Sequence, residues 1–261
     1  MNKEIIKRLP NWINTVGQYC LCLSDDLDSL FSCYYLTKYK KWNIKYFYDF
    51  YNIYAAGNEI LPQKETIAVD ADLVNGKCFG NHVGQYEDNP NCINLNKYNN
   101  ITQYNYTEKF AGSTLITVLS ILNVDINKFT EEQQAILLCI DSMFLSYYFS
   151  KSQASYYIDT ILGYKKLIDI LEKHDKQYFY NLQDKYKLKE KIYLDGWGLL
   201  QTDIKLDEIS TLFNIKLELP QMDFDIVQEL EVHKGYYAPG NIDIFSLART
   251  YKNSVIYSTI K

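Results

Sequence analysis

Several familiar signatures are missing from this 261-residue chain. It has no Gly-x4-Gly-Lys-Ser/Thr phosphate loop, no Gly-x-Gly-x-x-Gly turn and no Gly-x-Ser-x-Gly elbow, so the common nucleotide-binding and acyl-hydrolase solutions are not encoded in their usual form. Basic charge is not in excess. With 27 Lys and Arg against 32 Asp and Glu, the net charge of -5 leaves no electrostatic footprint for sequence-independent binding of long nucleic acid. No apolar run reaches about 18 residues, so no segment is expected to span a membrane. Histidine occurs only three times, and the six cysteines show neither paired zinc spacing nor a preceding secretory signal. Cys20, Cys22, Cys33, Cys78, Cys92 and Cys139 therefore read as reduced core thiols, and the expected location is cytoplasmic.

What is present is ordinary for a globular protein. A hydrophobic content of 47% with 23% charged residues suits one large domain or two modest ones. The chain is organised around Tyr19 to Leu36. A short apolar run from Tyr19 to Leu23, of buried-strand length, ends in Asp25, Asp26 and Asp28, and a helical apolar pattern follows from Ser29 to about Lys40. The acids thus stand where a strand becomes a helix. In an open parallel sheet that is the carboxyl edge, where ligands bind, and carboxylates crowded there repel one another unless a cation lies between them.

The pattern recurs downstream. Ile44 to Tyr48 reads as a second strand, giving a strand-helix-strand unit with a right-handed crossover. After a polar loop at Asn58 to Lys64, Thr66 to Val69 reads as a buried strand ending in Asp70, and Lys77 to Phe79 stops at Gly80-Asn81-His82. Asp88 to Asn105 is polar, rich in Asn and structurally quiet. Phe110 to Leu122 is helical with Thr107 or Ser113 as its cap, and Thr130 caps a further helix whose apolar run reaches Ile140 just before Asp141. Lys3 to Val16 is an amphipathic lead-in helix, and Gln153 to Lys191 is helical without evident chemistry. Beyond about residue 190, Lys191 to Leu194, Ile215 to Leu219 and Ser254 to Ile260 read as strands, with helices at Leu206 to Phe213 and Ile242 to Thr250.

Each acid has a plainer reading beside the chemical one. Asp25, Asp26 and Asp28 suit a helix N-terminus. Asp70 suits a loop, His82 a hydrogen-bonded loop, and Asp141 a partner for a lysine. What favours chemistry is conjunction: four successive apolar segments end at Asp26/Asp28, Asp70, His82 and Asp141. Oxygen ligands with one imidazole suit manganese or magnesium rather than structural zinc.

In this order the residues resemble the DHH (Asp-His-His) phosphoesterase superfamily. The matching pieces are Asp26-x-Asp28-x-x-x-Ser32 after a first strand, Asp70 after a second, Gly80-Asn81-His82 after a third, Ser113-Thr114 at a helix start and the later Asp141. Ser24-Asp25-Asp26-Leu27-Asp28-Ser29 is similar to the motif of its oligoribonuclease and phosphodiesterase members. Asn241 to Tyr251 is similar to the helix before that family's glycine-rich substrate loop. The chain departs from the family pattern at three places. Cys22 or Ser24 stands where a metal-binding His precedes the first Asp pair, one His survives from the Asp-His-His, and Lys252-Asn253-Ser254 replaces the Gly-Gly-Gly-His loop.

The resemblance implies an α/β fold: a mostly parallel sheet with helices on both faces and a helical connector over residues 1–185, then a smaller α/β substrate lobe over 186–261. It implies one or two Mn2+ (or Mg2+) ions held by Asp26, Asp28, Asp70, His82 and Asp141, with Asp70 shared between ions and a second ion on Asp26 and Asp70. Asn81, Ser113, Thr114 and Arg249 are the substrate-binding candidates; Ser113 and Thr114 read as helix-start packing or phosphate-facing groups rather than nucleophiles, and the default reading of Arg249 is a surface residue. The implied activity is hydrolysis of a nucleotide or short single-stranded nucleic acid phosphodiester, an oligonucleotide or cyclic (di)nucleotide, by an activated water. The alternatives are an inactive relative that binds a nucleotide or protein partner in the same cleft, and a pyrophosphatase-like hydrolase. Oligomeric state is not readable; a dimer is compatible.

Overall fold

A strand covered on both faces needs an unbroken apolar run, whereas one with a wet face alternates. Both kinds occur here, in two halves of one sheet. The structure is a computed structural model, and it describes residues 1–57, 65–84, 89–240 and 242–261. The loop expected at 58–64, and Asp88 and Asn241, lie outside the described residues.

The strands in chain order are β1 (Cys20–Ser24), β2 (Asn43–Tyr48), β3 (Asn52–Ala56), β4 (Thr66–Val69), β5 (Lys77–Phe79), β6 (Cys92–Ile93), β7 (Ile192–Leu194), β8 (Leu200–Thr202), β9 (Phe224–Gly235), β10 (Ile244–Tyr251) and β11 (Ser254–Ile260). Nine of them form one sheet in the order β10-β11-β9-β3-β2-β1-β4-β5-β6, and β7 pairs with β8 separately. From β2 to β6 the pairing is parallel, with Leu21, Leu23, Ile67 and Val69 fully buried. Burial of such a side chain contributes about 1.5 to 3 kcal/mol, which fixes the strand ends where the acids begin. The other half, β3, β9, β11 and β10, pairs antiparallel.

The sheet is therefore mixed, not mostly parallel. Of the antiparallel half the sequence reading finds only β11 as a strand, and β9 (Phe-Asp-Ile-Val-Gln-Glu-Leu-Glu-Val-His-Lys-Gly) escapes it because it carries charges along a largely wet strand. The helix expected at Ile242 to Thr250 is strand β10. Its pairing partner β11 follows after only Lys252 and Asn253, since Tyr251 already pairs with Ser254. That two-residue connection with an Asn is a hairpin signal, and it overturns the likeness of this stretch to a helix before a substrate loop. Ile215 to Leu219 carries no strand.

Helices cover one face. Helices Leu27–Lys40, Thr114–Ile121, Glu131–Cys139, Lys166–Lys173, Lys176–Tyr186 and Leu206–Phe213 pack there with Phe31, Leu115, Ile136, Leu167, Phe179 and Ile209 in the main core. The expectation of helices on both faces fails for the opposite side. There a second core of Cys22, Tyr46, Tyr48, Ile53, Ala68, Cys78 and Leu230 contains no helical residue among those described. The sheet covers this face by curling: β10 reaches back to bridge Leu73 and Val83, beyond β4 and β5. Tyr48 Oη lies 2.8 Å from Ser246 Oγ and 3.2 Å from Ser258 Oγ, tying β2 to β10 and β11 inside the curl. The boundary expected near residue 186 falls just before β7, and strands β9 to β11 beyond it extend the same sheet.

Locally, the lead-in helix stops at Arg8 because Pro10 cannot continue it, and a 3-10 turn at Asn11–Asn14 follows. The helix after β1 opens on Asp26, whose side chain accepts from Ser29 N, and ends with Lys41 at φ 59. The cap predicted at Thr130 is present, and the structure shows it as a capping box with Gln133. Five of the six cysteines are buried, Cys20 is half-buried, and no disulfide joins any of them.

Candidate metal centre

The carboxyl ends of β1, β4 and β5 deliver Asp28, Asp70 and His82 to one edge of the sheet. Asp141 arrives from the kink between helices Glu131–Cys139 and Phe144–Phe149. One carboxylate oxygen from each of Asp28, Asp70 and Asp141 lies within 4.8 Å of the other two. This trio is the core of the sequence-predicted set. Asp26 and His82 line the same cavity of about 270 Å³ together with Asp70 and Asp141. A second cavity, of about 320 Å³, adjoins Asp28, and Asp26, Asp141 and Lys191 border both.

Each acid of the trio is held from behind. Asp28, 2% exposed, accepts the backbone N–H of Thr114 on Oδ2 at 2.7 Å and that of Leu115 on Oδ1 at 2.6 Å. These are orphan amides at the start of helix Thr114–Ile121, and a carboxylate there complements the helix dipole. Asp70 Oδ1 accepts from Thr114 Oγ1 at 2.7 Å, and Asp141 Oδ2 accepts from Asn81 Nδ2. Asp70 (φ 58) and Asp141 (φ 53) both stand on left-handed backbone, a conformation that costs a non-glycine residue about 1 to 3 kcal/mol and clusters at functional sites.

Electrostatically the trio repels itself. Burial comes first in raising all three carboxyls above the ordinary aspartate range, and the charges of neighbouring carboxylates, Asp26 among them, raise them further. Asp141 contributes exposed surface at the rim, yet its carboxylate faces the cavity. Converging hard oxygen donors, buried behind and pre-oriented by N–H and O–H groups, fit a divalent cation of the magnesium or manganese type.

His82 stands beside this trio and not within it. Its Nδ1 is 3.0 Å from Asp72 Oδ2, and its backbone N–H donates to the same oxygen at 3.3 Å, so Nε2 remains for the cavity that His82 lines. Burial alone would lower its pKa; the Asp72 hydrogen bond and the charges of Asp72 and Asp141 outweigh that and raise it. Asp72 Oδ1 in turn accepts from Asn94 Nδ2 at 2.9 Å. Gly80 makes room for this, since a Cβ there would sit 2.0 Å from Asp72 Oδ1.

Of the substrate-binding candidates, Ser113 is fully buried as the cap of helix Thr114–Ile121, accepting from Ile116 N. Thr114, 1% exposed, positions Asp28 and Asp70. Asn81 braces Asp141. Arg249 is not a surface residue: it is 1% exposed, donates from Nη1 to the Lys252 carbonyl at 2.9 Å, lies over the Tyr237 ring and lines neither cavity.

Asp72, Asn94, Asn96 and Lys191 were missed. The stretch read as structurally quiet supplies Asn94, which holds Asp72 and the His82 carbonyl, and Asn96, which joins the Asn81 and Phe110 carbonyls at 2.7 and 3.0 Å. The available signal was Asp70-x-Asp72, two acids beyond one strand. Lys191 Nζ lies 2.9 Å from Asp25 and 3.2 Å from Asp26. Compared with family models, with curated proteins and with solved structures, the chain matches none. Among the described residues, no helix is long and apolar enough to cross a membrane.

Proposed function

We propose that this protein is a divalent-metal-dependent phosphoesterase, of the DHH type, acting on a small or single-stranded phosphodiester such as a short oligonucleotide or cyclic (di)nucleotide. The observation that carries the reading is the convergence of Asp28, Asp70 and Asp141, from three separate parts of the chain, to within 4.8 Å. These three would hold Mn2+ or Mg2+. Bound there, the ion supplies Lewis acidity toward a phosphoryl oxygen and toward water.

The chain's own groups do the rest. Thr114 and the amide of Leu115 keep Asp28 and Asp70 aimed inward, and Asn81 does the same for Asp141. His82, set by Asp72 at Nδ1, has Nε2 available to give or take a proton. The opposite wall, with Phe50, Leu247 and Tyr257, offers apolar and aromatic surface to the organic part of an ester. A second reading, a binding protein without turnover, is favoured by one observation: Asp26 is engaged by Ser29 and Lys191 and is not free for a second ion.

Calorimetric titration with Mn2+, paired with hydrolysis assays on bis(p-nitrophenyl) phosphate and short oligonucleotides, tests the reading. Wild type should bind the ion and hydrolyse, and Asp70→Asn should do neither. An unchanged rate in that variant rules out the centre. Binding without hydrolysis selects the second reading.

A further inference from the structure

Asp26 lines both cavities and is the acid on which a second ion would be expected, and it already has a cation beside it. Lys191 Nζ contacts Asp25 Oδ1 at 2.9 Å and Asp26 Oδ2 at 3.2 Å. The remaining oxygen of Asp26, Oδ1, accepts the Ser29 N–H at 3.2 Å as a helix cap. Both oxygens of Asp26 are therefore in use. Asp26 is also absent from the close carboxylate trio.

The placement of Lys191 is built into the backbone. The Ile192 N–H donates to the Asp25 carbonyl at 2.7 Å, so the residue after the lysine is fastened to the loop that carries the acids. The Lys191 carbonyl accepts from Thr202 Oγ1 at 2.9 Å, and Ile192 pairs with Thr202 across the β7-β8 ladder. The lysine side chain keeps 56% of its surface exposed, and an exposed ion pair contributes only about 0 to 1 kcal/mol. Tethering decides the matter. A group delivered by a short fixed segment acts at an effective concentration in the roughly millimolar range without leaving the site. A free ion must compete with that while also displacing a cap.

We propose that the Lys191 ammonium takes the place of a second metal ion, so that the centre holds one divalent ion at Asp28, Asp70 and Asp141 with a fixed lysine beside it. A charge of one replaces a charge of two, and the site keeps a permanent cation facing both cavities for an anionic group. Lys191 is then a positioning and charge-complementing residue. This inference rests on the metal reading proposed above.

Mn2+ titration of the full chain, read by calorimetric stoichiometry and by electron paramagnetic resonance, tests it. Wild type should take up one Mn2+ per chain with the signal of an isolated ion. Lys191→Met should take up two, with the loss of signal that marks a coupled pair, while Lys191→Arg, which keeps the cation, should stay at one. Circular dichroism confirms that each variant is folded. Two ions in wild type, or one in folded Lys191→Met, overturns the inference and leaves the metal reading standing. No binding in any of the three overturns the metal reading itself, and the inference with it.

Discussion

Asp28 and Thr114 lie 86 positions apart, yet the carboxylate of one accepts the backbone N–H of the other at 2.7 Å, and both residues are buried. Together with the Leu115 amide, this makes Asp28 the staple between the first strand-helix unit and the helix at Thr114–Ile121.

Removing that staple should cost stability before it costs anything else. Asp28→Ala leaves two buried N–H groups without an acceptor, at about 1 to 3 kcal/mol each, so urea unfolding should show a loss of about 2 to 6 kcal/mol. Asp28→Asn retains one acceptor oxygen and should lose about half as much. Thr114→Val keeps the amide and loses only the hydroxyl to Asp70, so it should cost about 1 kcal/mol while weakening Mn2+ binding by about 10- to 100-fold.

The metal-free protein should lose stability as pH rises. Asp28, Asp70 and Asp141 have folded-state pKa values raised above the unfolded one, by burial first and by neighbouring carboxylates second. Between the unfolded value, about 3.9, and the raised folded values the native state holds more protons, so stability declines with pH across that window. Thermal melts from pH 4 upward should show the decline, and saturating Mn2+ should flatten it. A metal-free melting temperature that rises steadily over this range contradicts the assignment.

His82 should titrate at lower pH once Asp72 is neutralised. The Asp72 hydrogen bond and charge outweigh the burial that would lower its pKa, so Asp72→Asn should shift the His82 titration downward in NMR. In wild type this raised value contributes stability that is complete below about pH 6.5 and fades as pH passes the folded value. Gly80→Ala should act in the same direction, because its Cβ would stand 2.0 Å from Asp72 Oδ1 and push that carboxylate off the ring.

Tyr48→Phe should test the curl independently of any metal. It removes one hydroxyl from a buried group of three, while Ser246 and Ser258 remain 2.7 Å apart and satisfy each other. The expected cost is about 1 kcal/mol in denaturant unfolding, with Mn2+ stoichiometry unchanged.

The parallel half of the sheet was legible because its strands are short apolar runs that end in acids, as at Leu23 before Ser24-Asp25-Asp26 and Val69 before Asp70. The two-fold mixed character was not. β9 is charged and partly wet, and Ile242 to Thr250 has enough apolar residues at helical spacing to mimic a helix until the tight Lys252-Asn253 turn is given weight. Of the candidate site, Asp28, Asp70 and Asp141 could be read from where their segments stop. Asp72 had a local signal in Asp70-x-Asp72, but Asn94 and Lys191 had none, because their contacts cross 22 and 165 or more positions of chain.

The curl of the sheet has a consequence for synthesis. Every acid of the centre precedes in the chain the hairpin that supplies Ser246, Leu247 and Tyr257, so the wall facing the carboxylates comes from the last strands to be made. The chamber is complete only with β10 and β11 seated on β9 and bridged to Leu73 and Val83, so a chain cut before residue 244 would keep its acids and lose their enclosure.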